Sequence, residues 1–298
     1  MHAGFLITEV AMKIKEILAQ KGKGISLEFF PPKTAGGREG FMKTVHELRK
    51  YDPLFVSVTC SPGSITHERT VNAVSWIRQE TDLTPMPHLT CIGATRADID
   101  RILRDYIRGG IENILALRGD PPKDIPEFDS AKGDFLYAKD LVAFAKKYNA
   151  FSLAVAVYPE GHAEAQNLLK DIEYTRMKVD AGADFAIAQM FFDNTYFYAY
   201  QEKARKAGIT IPILPGIMPV TDCRKIEEFA NFCNVTVPDA VRQKMYPVLD
   251  KPDEMKKIGI ECAVKQCEDL RKNGVQYLHF YTMNKTGVAS RILDAIGK

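Results

Sequence analysis

FSLAVAVYPEGHAEAQNLLKDIEYTRMKVDAGADFAIAQMFF, residues 151–192, decides the fold. It opens on a short apolar run (151–158) closed by Pro159. It ends on a second apolar run (184–192) closed by Asp193 and Asn194, with helical periodicity over 164–181 between them. Short apolar runs closed by breakers read as strands covered on both faces, and a strand–helix–strand unit of this length predicts a parallel pair. Gly182 stands where the intervening helix should stop. The same unit recurs in both directions. Upstream lie ISLEFF (25–30), LFVSVT (54–59), MPHLTC (86–91) and NILALR (113–118); downstream lie IPILPGI (211–217) and YLHFYT (277–282). Helical periodicity covers 39–50, 66–81, 95–108, 137–148, 195–207 and 222–232, and two further pieces near 238–246 and 253–273 precede the last strand. This alternation predicts an α/β chain, a single (β/α)8 TIM barrel with extra helices. An open doubly wound sheet competes with it, weakened because no G-x-G-x-x-G follows any strand.

The chain has 298 residues, against about 250 for a typical barrel. We read residues 1–298 as one catalytic barrel domain, with the excess in an N-terminal helix (1–24) and the helices before the last strand. Val10, Ile14, Ile17 and Leu18 fall at helical spacing, and the helix should end near Gly22 and Gly24. This stretch is not a signal peptide, because Glu9 interrupts its apolar run and the lysines follow it. No apolar run approaches the ~18 residues a membrane span needs. Lys plus Arg number 40 and Asp plus Glu 38, a net charge of +2, which argues against a nucleic-acid partner. The six cysteines form no CxxC pair and none stands at metal-ligand spacing from a histidine. We read them as free thiols in a reducing cytoplasm, with no metal site.

A barrel carries its chemistry at the C-terminal ends of its strands. Glu28 lies inside ISLEFF; burial there should raise its pKa and suit it to general acid work, or it forms a structural ion pair across the barrel. Thr59 ends the second strand, as a turn cap or a ligand contact. His88 within the third strand reads by itself as a satisfied core histidine. Arg118-Gly119-Asp120 offers a cation, a close backbone approach and an anion, unless Arg118 and Asp120 simply pair with each other. Tyr158 and His162 follow the fifth strand. The helix after them sets Asp171 and Lys178 on one face, either a ligand-holding face or a solvated one. Gln189 is an amide in an apolar run and needs partners, from a ligand ring or a core network. Lys285 lies beyond the last strand, poorly placed for a Schiff base.

These stretches, in order, carry a resemblance. SLEFFPPKT, FVSVTCSPG, PHLTC, ILALRGDPP, YPEGH, KVDAGADFAIAQMFFD, PILPGIMPV and HFYTMN together resemble the bacterial methylenetetrahydrofolate reductase family, over residues 24–290. The resemblance implies a catalytic-only (β/α)8 barrel that binds FAD without a Rossmann motif. It implies a ping-pong reaction in which hydride passes from NAD(P)H to FAD, and then to 5,10-methylenetetrahydrofolate to give 5-methyltetrahydrofolate. It assigns Glu28 as the general acid and sets Asp120 beside flavin and folate. Gln189, Phe229, Lys285 and Thr59 become substrate contacts. Thr59, His88, Arg118, Gly119, Asp120, Ala138, Tyr158, His162, Ala165, Asp171 and Lys178 become flavin contacts, which overturns the bland readings of His88 and of the Asp171–Lys178 face.

The chain also departs from the family pattern. Cys60 and Pro62 stand where the best-known members carry an aromatic and a small residue. Tyr174 and Met177 replace an amide and an arginine on the cofactor helix. Lys225 and Lys285 replace a glutamine and an arginine near the folate, and a lysine loses bidentate geometry. An alternative is therefore a folate-reducing flavoprotein subunit fed by an electron-transfer protein. A third reading is an unrelated barrel lyase without flavin. A homo-oligomer is compatible with the resemblance.

Overall fold

The computed structural model describes residues 12–60, 64–121, 127–129 and 132–298; Val10, Pro62 and the start of the N-terminal helix lie outside them. Among the described residues every strand pairs in parallel, in one nine-stranded sheet. In chain order the strands are β1 (Gly24–Phe29), β2 (Phe55–Val58), β3 (Pro85–Thr90), β4 (Asn113–Leu117), β5 (Ser152–Val157), β6 (Phe185–Ala188), β7 (Ile213–Leu214), β8 (Gly216–Ile217) and β9 (Tyr277–Tyr281). The order β7-β6-β5-β4-β3-β2-β1-β9-β8 closes the ring through one predicted strand, 211–217. Its first half pairs with β6 and its second half with β9. Pro215 divides the two, and its carbonyl accepts from His279 N–H at 2.9 Å. A proline has no N–H to give a ladder, so the strand breaks there and its carbonyl serves the neighbour. The result is the expected α/β TIM barrel.

Helices α2 (Arg38–Arg49), α3 (Ser64–Glu80), α4 (Arg96–Arg108), α5 (Ala138–Lys146), α6 (Leu168–Asp180), α7 (Asn194–Lys206) and α8 (Cys223–Phe232) connect successive strands. The two pieces before the last strand are α9 (Asp239–Met245) and α10 (Pro252–Lys272), as predicted. A final helix, α11 (Thr286–Ala295), was not predicted; it packs Val288, Ala289, Ile292 and Leu293 inward. Among the described residues no helix is long and apolar enough to cross a membrane.

Alternation along the strands makes two cores. Outward residues such as Leu27, Phe29, Val56 and Val58 pack under the helices. Inward residues Phe55, Met86, Leu115, Phe185 and Leu214 fill the N-terminal half of the barrel. Helix α1 (Ile14–Lys21) stops that end with Ile14 and Leu18. Lys13 supplies no side-chain cap, so the barrel caps α1 instead. Ile14 N–H donates to Asn113 Oδ1 at 2.7 Å and Lys15 N–H to Ser152 Oγ at 3.2 Å. α1 ends on Gly22 in the left-handed conformation, φ 68°, whereas Gly24 already opens β1. With one end plugged by apolar side chains, polar inward residues collect at the other.

Candidate active site

Above the plug, the inward side chains turn polar. Glu28 is 8% exposed on β1, between two imidazoles. His279 Nε2 lies 3.3 Å from Glu28 Oε2, and His88 Nε2 lies 3.4 Å from the same oxygen. His279 Nδ1 is 2.8 Å from Ser26 Oγ. These contacts fit one tautomer: the Ser26 hydroxyl donates to Nδ1 and Nε2–H donates to the carboxylate. Strand register explains the grouping, since Ser26 faces His279 across β1 and β9 and Glu28 faces Ser57 across β1 and β2.

This arrangement corrects the expected ionisation of Glu28. Burial raises its pKa, but His88, His279 and Ser57 together outweigh burial and hold the carboxyl below its ordinary value. The same burial presses His88 down to about 4, against the pull of Glu28. His88 Nε2 is buried without a well-aligned hydrogen bond among the described residues. Beside Glu28, Tyr281 donates to the Ala188 carbonyl at 3.1 Å. Gly216 makes that crossing possible: a Cβ there would sit 2.3 Å from the Ala188 oxygen and 2.6 Å from Tyr281 Oη.

The mouth brings most of the remaining candidates together. Arg118 does not pair with Asp120; its guanidinium holds Glu164 at 2.5 and 2.7 Å, leaving Asp120 exposed at the rim. Gly119 is left-handed, φ 85°, and packs on Thr90, so a side chain there would strain the turn. Thr59 is half-buried at the end of β2, and its carbonyl accepts from Thr70 Oγ1 at 2.8 Å. Tyr158 stacks edge-on against His162 at 4.6 Å. Ala165 N–H donates to the His162 carbonyl at 2.9 Å, and Ala138 opens α5 at the same rim.

The Asp171–Lys178 face is not a solvated one: Asp171 is buried and Lys178 half-buried. Lys178 Nζ donates to the Ala156 carbonyl at 2.6 Å and lies 5.9 Å from the Tyr158 ring centre. Burial lowers its pKa to about 8. Asp171 is 3% exposed, raised to about 6 by burial, and its Oδ2 finds no hydrogen-bond partner among the described residues. A buried carboxylate oxygen without a donor marks a place where a ligand hydroxyl fits.

Gln189 uses its amide on the protein: Nε2 donates to Cys233 Sγ at 3.5 Å, and Oε1 accepts from Met190 N–H at 2.9 Å. Cys233 caps the C-terminus of α8, four residues past Phe229 and with its N–H donating to the Phe229 carbonyl, and Phe229 is 44% exposed. Burial first, and Asp120 second, push the Cys233 thiol up to about 11. Lys285 stays outside, exposed, donating to Thr221 Oγ1 at 2.9 Å.

Sequence reasoning missed Ser26, His279 and Cys233. Ser26 and Glu28 have the same strand parity, and His279 sits between apolar residues in YLHFYT, so the pattern held a usable signal. Cys233 left none. No cysteine is in a disulfide, and among the described residues no cluster of His, Cys, Asp or Glu could hold a metal. A cavity of about 700 Å³ at the opposite end, lined by Lys15, Asp184, Arg205 and Tyr277 among others, carries no comparable set of buried titratable groups.

Comparison with known proteins decides the family. The methylenetetrahydrofolate reductase family model matches residues 13–297. The chain belongs to the methylenetetrahydrofolate reductase family. It is 38% identical over 274 residues to 5,10-methylenetetrahydrofolate reductase of Salmonella typhimurium, covering 92% of this chain and 90% of that protein. The Escherichia coli reductase is 37% identical over 273 residues, with the same coverage. Methylenetetrahydrofolate reductase (NADH) 1 of Arabidopsis thaliana is 35% identical over 97% of this chain, which spans 51% of that longer protein. Membership in this family makes the chain an oxidoreductase. Among solved structures, an uncharacterized protein from Clostridium thermocellum that binds two copies of 5-methyl-5,6,7,8-tetrahydrofolic acid superposes with a TM-score of 0.67. It is 12% identical and covers 95% of this chain and 98% of its own, a likeness of fold.

Proposed function

We propose that this chain is one catalytic barrel that reduces 5,10-methylenetetrahydrofolate to 5-methyltetrahydrofolate in the cytoplasm, with FAD as its cofactor and NAD(P)H as electron donor. The observation that carries the reading is Glu28, buried beneath an open polar mouth and tied to His279 and Ser26, in a chain of this family. FAD, when bound, would supply the hydride carrier between nicotinamide and folate.

The residues present fit that cofactor. Asp171 offers a buried oxygen without a partner among the described residues to a ribityl or ribose hydroxyl, and Lys178 offers a half-buried cation to a phosphate. Thr59, His88, Arg118, Gly119, Ala138, Tyr158, His162 and Ala165 would line the same groove. Asp120 at the rim would lie near ring and folate, stabilising a cationic folate iminium. Gln189 would turn its amide from Cys233 to the pterin, Phe229 would pack on the bound substrate, and Lys285 would hold a folate carboxylate.

Glu28 handles the proton. Free of ligand, its carboxyl is held low by its histidines; a folate closing the mouth removes water and drives it toward the protonated form. Protonated there, it can donate to the folate nitrogen whose release opens the five-membered ring. Ser26 and His279 fix the carboxylate and lead away from it.

The visible spectrum of the pure protein, before and after NADH, tests the reading. A flavin band that bleaches with NADH and returns with methylenetetrahydrofolate supports it. A band that ignores NADH yet bleaches with 5-methyltetrahydrofolate points to a protein electron donor. Tyr174 and Met177, 44% and 46% exposed on α6, bear on that second reading. A colourless protein that binds no added FAD defeats both.

A further inference from the structure

Phe29 and Phe30 are adjacent and opposite in fate. Phe29 is core, 1% exposed and edge-on to Phe41 at 6.1 Å. Phe30 is 40% exposed. It follows the last residue of β1 and has the parity of the inward Ser26 and Glu28, so continued alternation would turn its ring toward the barrel mouth above the carboxylate.

An exposed aromatic at a strand end is usually loosely held, yet here the backbone of Phe30 is pinned on both sides. Its N–H donates to Asn284 Oδ1 at 3.0 Å, and its carbonyl accepts from Asn284 Nδ2 at 2.9 Å. Two residues earlier, the Glu28 carbonyl accepts from Thr282 N–H at 3.2 Å and from Thr282 Oγ1 at 2.6 Å. Asn284 N–H also donates to Thr282 Oγ1 at 3.2 Å. The turn that makes this clamp holds Met283 and Asn284 both left-handed, at φ 52° and 53°. Non-glycine residues hold that conformation only where their surroundings enforce it. Pro31 and Pro32 then stiffen the exit from the strand.

We propose that Phe30 is a substrate-contacting residue, the wall on which an aromatic ring of the folate lies, and that Asn284 is its positioning residue. The assignment rests on the reductase reading above. Folate brings flat rings, and a ring surface fixed before binding loses little freedom when it is covered. One clamp for Phe30 and one for Glu28, from the same turn, keep the ring wall and the proton donor in fixed relation.

The test uses flavin-loaded protein, 5-methyltetrahydrofolate as reductant and a dye as acceptor, so it does not depend on the nicotinamide. Phe30→Ala should raise the KM for folate about tenfold, with a smaller change in kcat; Phe30→Tyr, which keeps the ring, should stay within about twofold. Phe30→Leu serves where Phe30→Ala fails to fold. Asn284→Gly keeps the left-handed turn and deletes both hydrogen bonds, and should raise the KM about threefold or more. The double variant Phe30→Ala/Asn284→Gly should match Phe30→Ala alone, because Asn284 acts through Phe30. Unchanged KM values, or an additive double variant, overturn the assignment while an active unsubstituted chain leaves the reductase reading standing. An unsubstituted chain inert toward folate overturns both.

Discussion

His279 Nε2 stands 3.3 Å from Glu28 Oε2, although the two residues are 251 positions apart in the chain. The contact joins His88 in holding the Glu28 carboxyl below its ordinary value against burial. His279→Asn should remove part of that hold and move the Glu28 carboxyl to higher pH, with His88 still opposing burial. Infrared difference titration of the protonated carboxyl band measures this, and an unmoved band would show that His279 does not hold the carboxylate. Glu28→Gln should cut folate reduction by about 10²–10⁴, the usual contribution of a positioned general acid, with a much smaller effect on flavin reduction by its donor. Equal loss in both half-reactions would make Glu28 structural.

Acid should destabilise the fold earlier than carboxylates alone would. His88 is pressed from its ordinary value of 6.5 to about 4. Between those values the unfolded chain binds a proton that the folded chain refuses, so stability present above pH ~6.5 is lost as pH falls toward ~4. The loss from this group amounts to roughly 3 kcal/mol. Glu28, also depressed, adds to it below its ordinary range. In urea melts from pH 7 to 4.5 the unsubstituted chain should lose more stability with acid than His88→Gln, because only the parent carries this group and both carry the opposing Asp171; parallel slopes would count against it.

Asp171 pulls the other way. Its folded pKa is raised to about 6, so the folded chain binds the extra proton below that value and stability falls as pH rises through it. At neutral pH the flavin-free protein therefore carries a buried charge that Lys178 and the His162 backbone only partly offset. Asp171→Asn should raise the Tm of the flavin-free protein at pH 7 by a few degrees, roughly 1–2 kcal/mol, and weaken FAD binding in a fluorescence titration. A lower Tm with unchanged FAD affinity would refute the ligand-holding role.

Gly216→Ala should strike the closure of the barrel. Its Cβ would lie 2.3 Å from the Ala188 oxygen, a backbone atom that cannot swing aside. The hydrogen bond from Tyr281 to the same oxygen would be displaced. Overpacking of this kind costs about 1–3 kcal/mol, seen as a shift in the urea midpoint at constant slope. Normal stability would mean that the β7–β8 corner relaxes more easily than its packing suggests.

Strand positions were legible because burial on both faces leaves a dense apolar run and parallel strands end on breakers. FSLAVAVY and NILALR fall within a residue or two of β5 and β4. The split at Pro215 was harder to read, because a proline in an apolar run does not reveal whether its neighbours use its carbonyl. Helix α11 lies beyond the last strand, outside the alternation that marks the barrel, although Val288, Ile292 and Leu293 carry its periodicity. Gln189 reads in the sequence as a buried amide needing partners, but its partner, Cys233, is supplied by the C-terminal cap of α8, 44 residues away.

By itself the sequence determined the eightfold alternation of strand and helix, the family, and the strand-end placement of Glu28, Asp120 and Gln189. Those are local properties: periodicity, breakers and residue order survive in one dimension. Only the tertiary structure decided that Arg118 turns to Glu164 and not to Asp120, that the Asp171–Lys178 face packs inward with Asp171 buried, and that two histidines hold Glu28 low and reverse the shift that burial alone would give. Each depends on which side chains from distant strands share one dry volume. Closing the ring sets that volume, and no segment specifies it alone.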